Sequence, residues 1–248
     1  TTCPYHSPLA EMTYRSLTAL PVYNEARHLN SVLDQVCHFS SDVLVVDDGS
    51  TDGTGELLAD RDDVHVISHP TNRGYGAALR TAFGAATERE FDVIITIDCD
   101  GQHEPQRIPR FVQASHDYDI VSGSRYLDLF PEDHAPPPER RRVNEQITTE
   151  LNRRLNLSLT DAFCGFKAYR TSALAKLELS EDGYGMPLEL WVAAAAAGLS
   201  IKELGVPLIY LDEARSFGGP LDDVQTRIDY YHKVLNRSLA KSTSDTAV

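Results

Sequence analysis

With 248 residues, 42% of them hydrophobic, the chain can bury a substantial core, which excludes a disordered chain. Its formal net charge of -14 and pI near 5.0 exclude a general nucleic-acid binder, because phosphate backbones demand a concentrated positive surface. Any anionic ligand must therefore meet local arginines or a metal ion.

The elements begin with a strand expected over Tyr14–Leu20. A helix follows whose Leu29, Val32, Leu33 and Val36 fall at i, i+3, i+4 and i+7, one apolar face. Further strands are expected at Val43–Asp47, Val64–Ile67, Val93–Ile97 and Ile120–Ser122. This alternation of β-rich runs with helical patterns predicts a mostly parallel sheet covered by helices on both faces. After Ser122 the pattern changes. Asp128–Pro138 is rich in proline and acidic residues, and Arg140-Arg141-Arg142 opens a helix with Val143, Ile147, Leu151 and Leu155 on one side. A second helix is expected over Leu188–Ala197, strand-like alternation over Ile201–Leu211, and a last helix through Leu221, Val224, Ile228, Tyr231 and Leu235. The reading is one domain over 13–220, with a nucleotide-binding half (13–122) and an acceptor half (123–220), then a C-terminal helix (221–240) and a frayed tail (241–248).

Cys3, Cys37, Cys99 and Cys164 stand singly and the nine histidines do not cluster, which argues against a zinc site and for reduced, mostly buried thiols. The longest purely apolar stretch, Trp191–Ala197, is far short of the ~20 residues needed to cross a bilayer. Thr1–Ala10 has neither a basic start nor an apolar run, so no secretory signal is visible and a cytoplasmic location is expected.

Ligands of open α/β sheets bind at the carboxyl ends of the strands. Three polar segments fall there: Pro21-Val22-Tyr23-Asn24-Glu25, Asp47-Asp48-Gly49-Ser50-Thr51-Asp52 and Asp98-Cys99-Asp100-Gly101-Gln102-His103. The first reads as a turn with Asn24 capping a helix, or as one wall of a site. In the second, a cap needs one carboxylate and there are three, so Asp47, Asp48 and Asp52 are candidates for a nucleobase edge and ribose hydroxyls. In the third, residues at alternate positions of an extended segment point to the same side, so Asp98, Asp100 and Gln102 can aim oxygens at one ion. Magnesium or manganese suits such oxygen ligands better than zinc. Asn72–Arg80 combines glycines with a helix start, and reads either as a phosphate-proximal loop with Arg73 or Arg80, or as a tight turn into a close-packed helix.

Together these segments resemble the inverting family-2 glycosyltransferases of the GT-A fold, in particular the polyprenyl-phosphate (dolichyl-phosphate) mannosyl- and glucosyltransferases. The resemblance continues through Gly123-Ser124-Arg125-Tyr126, Asp161–Phe166 and Leu188-Glu189-Leu190, and spans roughly Leu17 to Gly219. It implies that Pro21, Tyr23, Glu25 and Asp48 hold the nucleotide, that Asp98, Asp100 and Gln102 surround a divalent metal and the donor diphosphate, and that Arg125, Arg215 and Arg140 bind an acceptor phosphate. The implied reaction moves mannose or glucose from a GDP- or UDP-sugar. Two departures stand out: the expected glycine-serine-lysine after the last arginine reads Phe217-Gly218-Gly219-Pro220, and no membrane-spanning tail follows. Haloacid-dehalogenase-type phosphatases also carry two aspartates one residue apart, but on their first strand.

An acceptor phosphate is already anionic near neutral pH, so its attack on an anomeric carbon needs guanidinium positioning more than a base, with Arg125, Arg215 and Asp100 carrying the catalysis. A hydroxyl acceptor, such as a saccharide, requires a carboxylate base, for which Asp161 and Glu189 are the candidates; helix capping and a buried arginine partner are their plainer roles. A nucleotide-sugar-binding module without transfer is a further alternative. Peripheral contact at the inner face of the membrane through Arg140–Arg142, and homo-oligomerisation, complete the expectations.

Overall fold

The structure, a computed structural model, describes residues 14–131, 133–210 and 219–245. In its first half β1 (Ser16–Val22), α1 (Leu29–Phe39), β2 (Val43–Asp47), α2 (Thr54–Ala59), β3 (His65–Ser68), α3 (Tyr75–Glu88) and β4 (Val93–Thr96) alternate strictly. Then come α4 (Ile108–Ala114), β5 (Ile120–Ser124), α5 (Pro138–Leu155), β6 (Lys167–Arg170), α6 (Thr171–Leu174), α7 (Met186–Ala196), β7 (Ile201–Gly205) and α8 (Val224–Asp245). The seven strands form one sheet in the order β3-β2-β1-β4-β6-β5-β7. β6 runs antiparallel to both its neighbours, and every other pairing is parallel.

Both faces of the sheet are covered, which is why its central strands read as unbroken apolar runs instead of alternating with polar residues. Successive side chains of a strand point to opposite faces. Leu17, Leu44, Val46 and Ile94 accordingly enter one core, with α3, α5, α7 and α8. Leu20, Val43, Val45, Val93 and Ile95 enter the other, with α1 and α4. The last helix is part of this packing: Tyr231, Val234 and Leu235 are buried in the first core.

The strand expected over Tyr14–Leu20 starts at Ser16 and runs on to Val22, through Pro21. Pairing with β4 stops at Ala19↔Thr96, so Pro21 adjoins only β2, opposite Val46. Proline is tolerated where one neighbour has gone, because the hydrogen bond it cannot donate is not required there. The strand-like run expected to Leu211 ends at Gly205, and Val206–Tyr210 around Pro207 has no regular structure.

β6 has no counterpart among the expected strands. It is four residues long, begins and ends on a basic residue, and lacks alternation, so local pattern does not announce it. Its consequence is geometric. A strand running against its neighbours begins where they end, so the segment Asp161–Phe166 arrives at the same rim as the carboxyl ends of β1, β2, β4 and β5. Lys167, 2% exposed, pairs with Thr96 in the ladder, and its ammonium donates to the Cys164 carbonyl beneath the Trp191 ring.

Candidate active site

The loops after β1 and β2 are stitched into one rim. The Asn24 amide donates to Ser50 Oγ (2.9 Å) and Asn24 Oδ1 accepts from the Thr51 amide (2.7 Å), while the Glu25 amide donates to Thr54 Oγ1 (3.0 Å). Asp52 binds across the seam, accepting from the Ala26 amide (3.1 Å) and from the amide and hydroxyl of Thr54 (3.1 and 2.5 Å). Burial works to raise the Asp52 pKa, but these hydrogen bonds outweigh it and leave the carboxyl below its ordinary value. Asp47 accepts from the Ser50 amide at 3.0 Å and is 5% exposed. Neither lines the cavity at the rim, and both carboxylates take part in shaping the loop.

Pro21, Tyr23, Glu25 and Asp48 do line that cavity, whose volume is about 420 Å³. Tyr23 presents its ring to solvent, 44% exposed. Asp48 is buried, with its oxygens engaged by the Arg73 and Gly74 amides (2.9 and 2.7 Å) and by His69 Nδ1 (2.5 Å). The Arg73 side chain is exposed and outside the cavity, and Arg80 pairs with Asp182. The glycines here serve close packing: a Cβ on Gly76 would strike the Glu181 carbonyl oxygen, and the Ala77 amide at the start of α3 donates to Asp182 O at 3.1 Å.

Asp98 and Asp100 stand at the carboxyl end of β4, half-exposed on the cavity wall beside Gln102. Asp98 accepts from the Tyr75 hydroxyl at 3.2 Å and lies 3.3 Å from His103 Nε2. Burial first, then the nearby Asp98 charge, drives the Tyr75 pKa well above normal, so this phenol remains a donor. Asp100 accepts from the Gln102 amide at 2.9 Å. Gly165, delivered by the start of β6, lies against the Asp98 carboxylate so closely that a Cβ would collide with Oδ2. Two carboxylates and an amide oxygen opening onto a cavity suit a hard divalent cation, which takes its remaining oxygens from water and substrate phosphates. No group of three His, Cys, Asp or Glu that would cage a metal by itself is present among the described residues.

The cavity lining also carries arginines. Arg125, just past β5, is gripped by Asp161 through Nε–Oδ2 (2.7 Å) and Nη2–Oδ1 (3.0 Å). Asp161 is fully buried and also accepts from Asn144 Nδ2 (2.7 Å) and the Phe163 amide (3.1 Å). Desolvation works to raise its pKa, but the Arg125 charge and these hydrogen bonds override that and hold it far below the usual carboxylate range. Asp161 thus orients Arg125. Glu189, in the first turn of α7, accepts from the Ser180 amide and hydroxyl (2.8 and 2.7 Å) and the Glu181 amide (2.7 Å), so it braces a loop and lies outside the cavity. Arg140, in the first turn of α5, lines the cavity. Arg215 and Phe217–Gly218 lie outside the described residues.

Several cavity residues carried no expectation. Tyr75, Tyr126 and Arg227 all line it. Arg227 had a readable signal: it stands three residues after Val224 and four before Tyr231, so helical periodicity puts a charge on the apolar stripe of the last helix. Cys99 and Cys164 are buried and Cys37 is half-buried, all as free thiols; Cys3 lies outside the described residues.

A sheet of this order, with acidic and basic side chains lining one cavity at its carboxyl rim, defines a GT-A-type nucleotide-sugar fold. It superposes with a TM-score of 0.71 on glucosyl-3-phosphoglycerate synthase from Mycobacterium tuberculosis, solved with Mn2+, uridine diphosphate and phosphoglyceric acid, at 20% identity over 92% of this chain and 79% of that one. Residues 18–178 match Glycosyl transferase family 2, and the chain belongs to that family. It is 34% identical over 216 residues to the undecaprenyl-phosphate mannosyltransferase of Micrococcus luteus, covering 83% of this chain and 88% of that protein. It is likewise 34% identical over 212 residues to the polyprenol monophosphomannose synthase of Mycolicibacterium smegmatis, covering 81% and 78%. The chain is a glycosyltransferase.

Proposed function

We propose that the enzyme transfers a hexose, mannose or glucose, with inversion from a GDP- or UDP-sugar to a polyprenyl phosphate, using Mg2+ or Mn2+. The observation that carries this is a single cavity lined by Asp98 and Asp100 together with Arg125 and Arg140. The absence of a base among the earlier candidates agrees with it: Asp161 and Glu189 are both locked by hydrogen bonds, whereas a hydroxyl acceptor would need a carboxylate to take its proton. The names of the two relatives support the same acceptor class.

In this reading Pro21, Tyr23 and Glu25 hold the nucleotide, and Asp48 keeps the Arg73–Gly74 turn beside it. Asp98, Asp100 and Gln102 hold the cation, which supplies Lewis-acid neutralisation of charge on the departing diphosphate. Arg125, held in one orientation by Asp161, presents its remaining N–H groups to the acceptor phosphate, and Arg140 adds a second positive charge. The phosphate oxygen forms the new bond to the anomeric carbon as the bond to the diphosphate breaks, and no proton has to leave the acceptor. No described helix is long and apolar enough to cross a membrane.

The test is a transfer assay with GDP-mannose and UDP-glucose, each with a polyprenyl phosphate or the corresponding polyprenol, with Mn2+ or with a chelator. Product is expected only with the phosphate and the metal, with the anomeric configuration inverted. Transfer to the polyprenol at an equal rate would overturn the acceptor reading. Asp100→Ala is expected to abolish both turnover and the metal response. Donor binding without transfer to any acceptor would favour a binding module instead.

A further inference from the structure

Arg227 belongs to the first turn of α8, a helix that contributes Arg227 and Tyr231 to the cavity lining. It is 4% exposed, which is unusual for an arginine that an exposed position would accommodate at no desolvation cost. Its neighbours fix it firmly. Nη1 donates to the Leu221 carbonyl at 2.8 Å, its own amide donates to Asp223 O at 3.0 Å, and the next turn is anchored by Tyr231, whose ring lies 4.9 Å from that of Phe163. Tyr231 also reports what surrounds it. Burial lifts its pKa to about 12, and the charges of Arg227 and Arg140, carried on different helices, both act in the opposite sense.

We propose that Arg227 is a further acceptor-phosphate-binding arginine, joining Arg125 and Arg140 in a pocket to which the end of β5, α5 and α8 each contribute one guanidinium. The inference rests on the reading of the acceptor as a phosphate. A chain with a net charge of -14 nonetheless brings these three positive groups to the lining of one cavity. A phosphate monoester offers three oxygens and up to two negative charges, which a single bidentate arginine does not satisfy, and Arg125 already spends Nε and Nη2 on Asp161. Guanidinium groups from three elements restrain the phosphate in orientation as well as position, leaving one oxygen directed at the anomeric carbon. That oxygen forms the C–O bond, the sugar–diphosphate bond breaks, and the nucleoside diphosphate leaves with the electron pair.

The experiment compares wild-type enzyme with Arg227→Gln, Arg227→Lys and a charge-matched control, Lys233→Gln, on the exposed side of α8. Initial rates are taken against polyprenyl phosphate and against donor separately, together with slow donor hydrolysis in the absence of acceptor and the thermal midpoint. Arg227→Gln is expected to raise the acceptor KM about tenfold or more, the loss of a charge-assisted contact, and to leave donor KM and donor hydrolysis unchanged. Arg227→Lys keeps the charge without the planar fork and is expected to fall between. Lys233→Gln is expected to match wild type. If wild-type enzyme does not use polyprenyl phosphate at all, the proposed function falls and this inference with it. If wild type uses it and Arg227→Gln keeps the same acceptor KM, or raises donor KM equally, the role of Arg227 alone is overturned. Should Arg227→Gln fail to fold, Arg227→Lys decides: an acceptor KM equal to wild type overturns the assignment.

Discussion

At the scale of single residues, the site is built from side chains whose partners decide their roles. Asp98, Asp100 and Asp161 are all aspartates at the rim, yet the first two open onto the cavity and the third is sealed behind Arg125. Removing one member of a buried ion pair leaves an uncompensated charge, so Asp161→Asn is expected to cost about 3–5 kcal/mol, measurable by chemical denaturation, and to raise the acceptor KM by freeing Arg125. Gly165 makes a different prediction. Gly165→Ala puts a methyl where the Asp98 carboxylate sits, and displacing a metal-binding carboxylate by an ångström or so is expected to cut kcat about 100-fold in a protein that still melts cooperatively. Asp98, Asp100, Arg125 and Arg140 stood out in the sequence as a strand-end carboxylate pair, an arginine of a short motif and the basic start of a helix, and all four line the cavity. The structural duties of Asp47, Asp52 and Glu189 were not legible, since their partners include backbone amides whose direction no residue identity reveals.

At the scale of elements, the periodic pieces follow from pattern alone. β2 runs over Val43–Asp47 as expected, α1 buries the four residues its spacing selects, and α5 buries Val143, Ile147 and Leu151. β6 does not, because what makes those four residues a strand is the gap between β4 and β5 that they fill. The loops after β1 and β2 act as one element held by Asp52. Asp52→Ala removes acceptors from the Ala26 and Thr54 amides and is expected to destabilise the fold by about 1–2 kcal/mol. Because the seam lies on the nucleotide side, the same variant is expected to raise donor KM while leaving acceptor KM alone. Steady-state kinetics with each substrate varied in turn separates the two.

At the scale of the whole molecule, acid stability is set by carboxylates held below their ordinary values. Desolvation raises Asp161, Asp52 and Asp119, but ion pairing or hydrogen bonding overcomes it in each, so all three keep their charge in the folded state at a pH where the unfolded chain would bind protons. Their contribution is complete above the unfolded pKa, about 3.9 for aspartate, and is lost as pH falls through the lower folded values. Glu203, raised by burial, acts in the opposite sense as it protonates. The thermal midpoint is expected to hold down to about pH 5 and to drop below about pH 4, less steeply in Asp161→Asn, as melts across that range will show. The antiparallel strand has one more consequence, for how the enzyme comes into being. Asp98 is seated by Gly165, Arg125 is oriented by Asp161, and α8 contributes Arg227 and Tyr231 to the cavity lining, so residues early in the chain wait on residues synthesised much later. A chain that ends at β5 lacks the groups that seat Asp98 and orient Arg125, so such a truncation is expected to show no transfer.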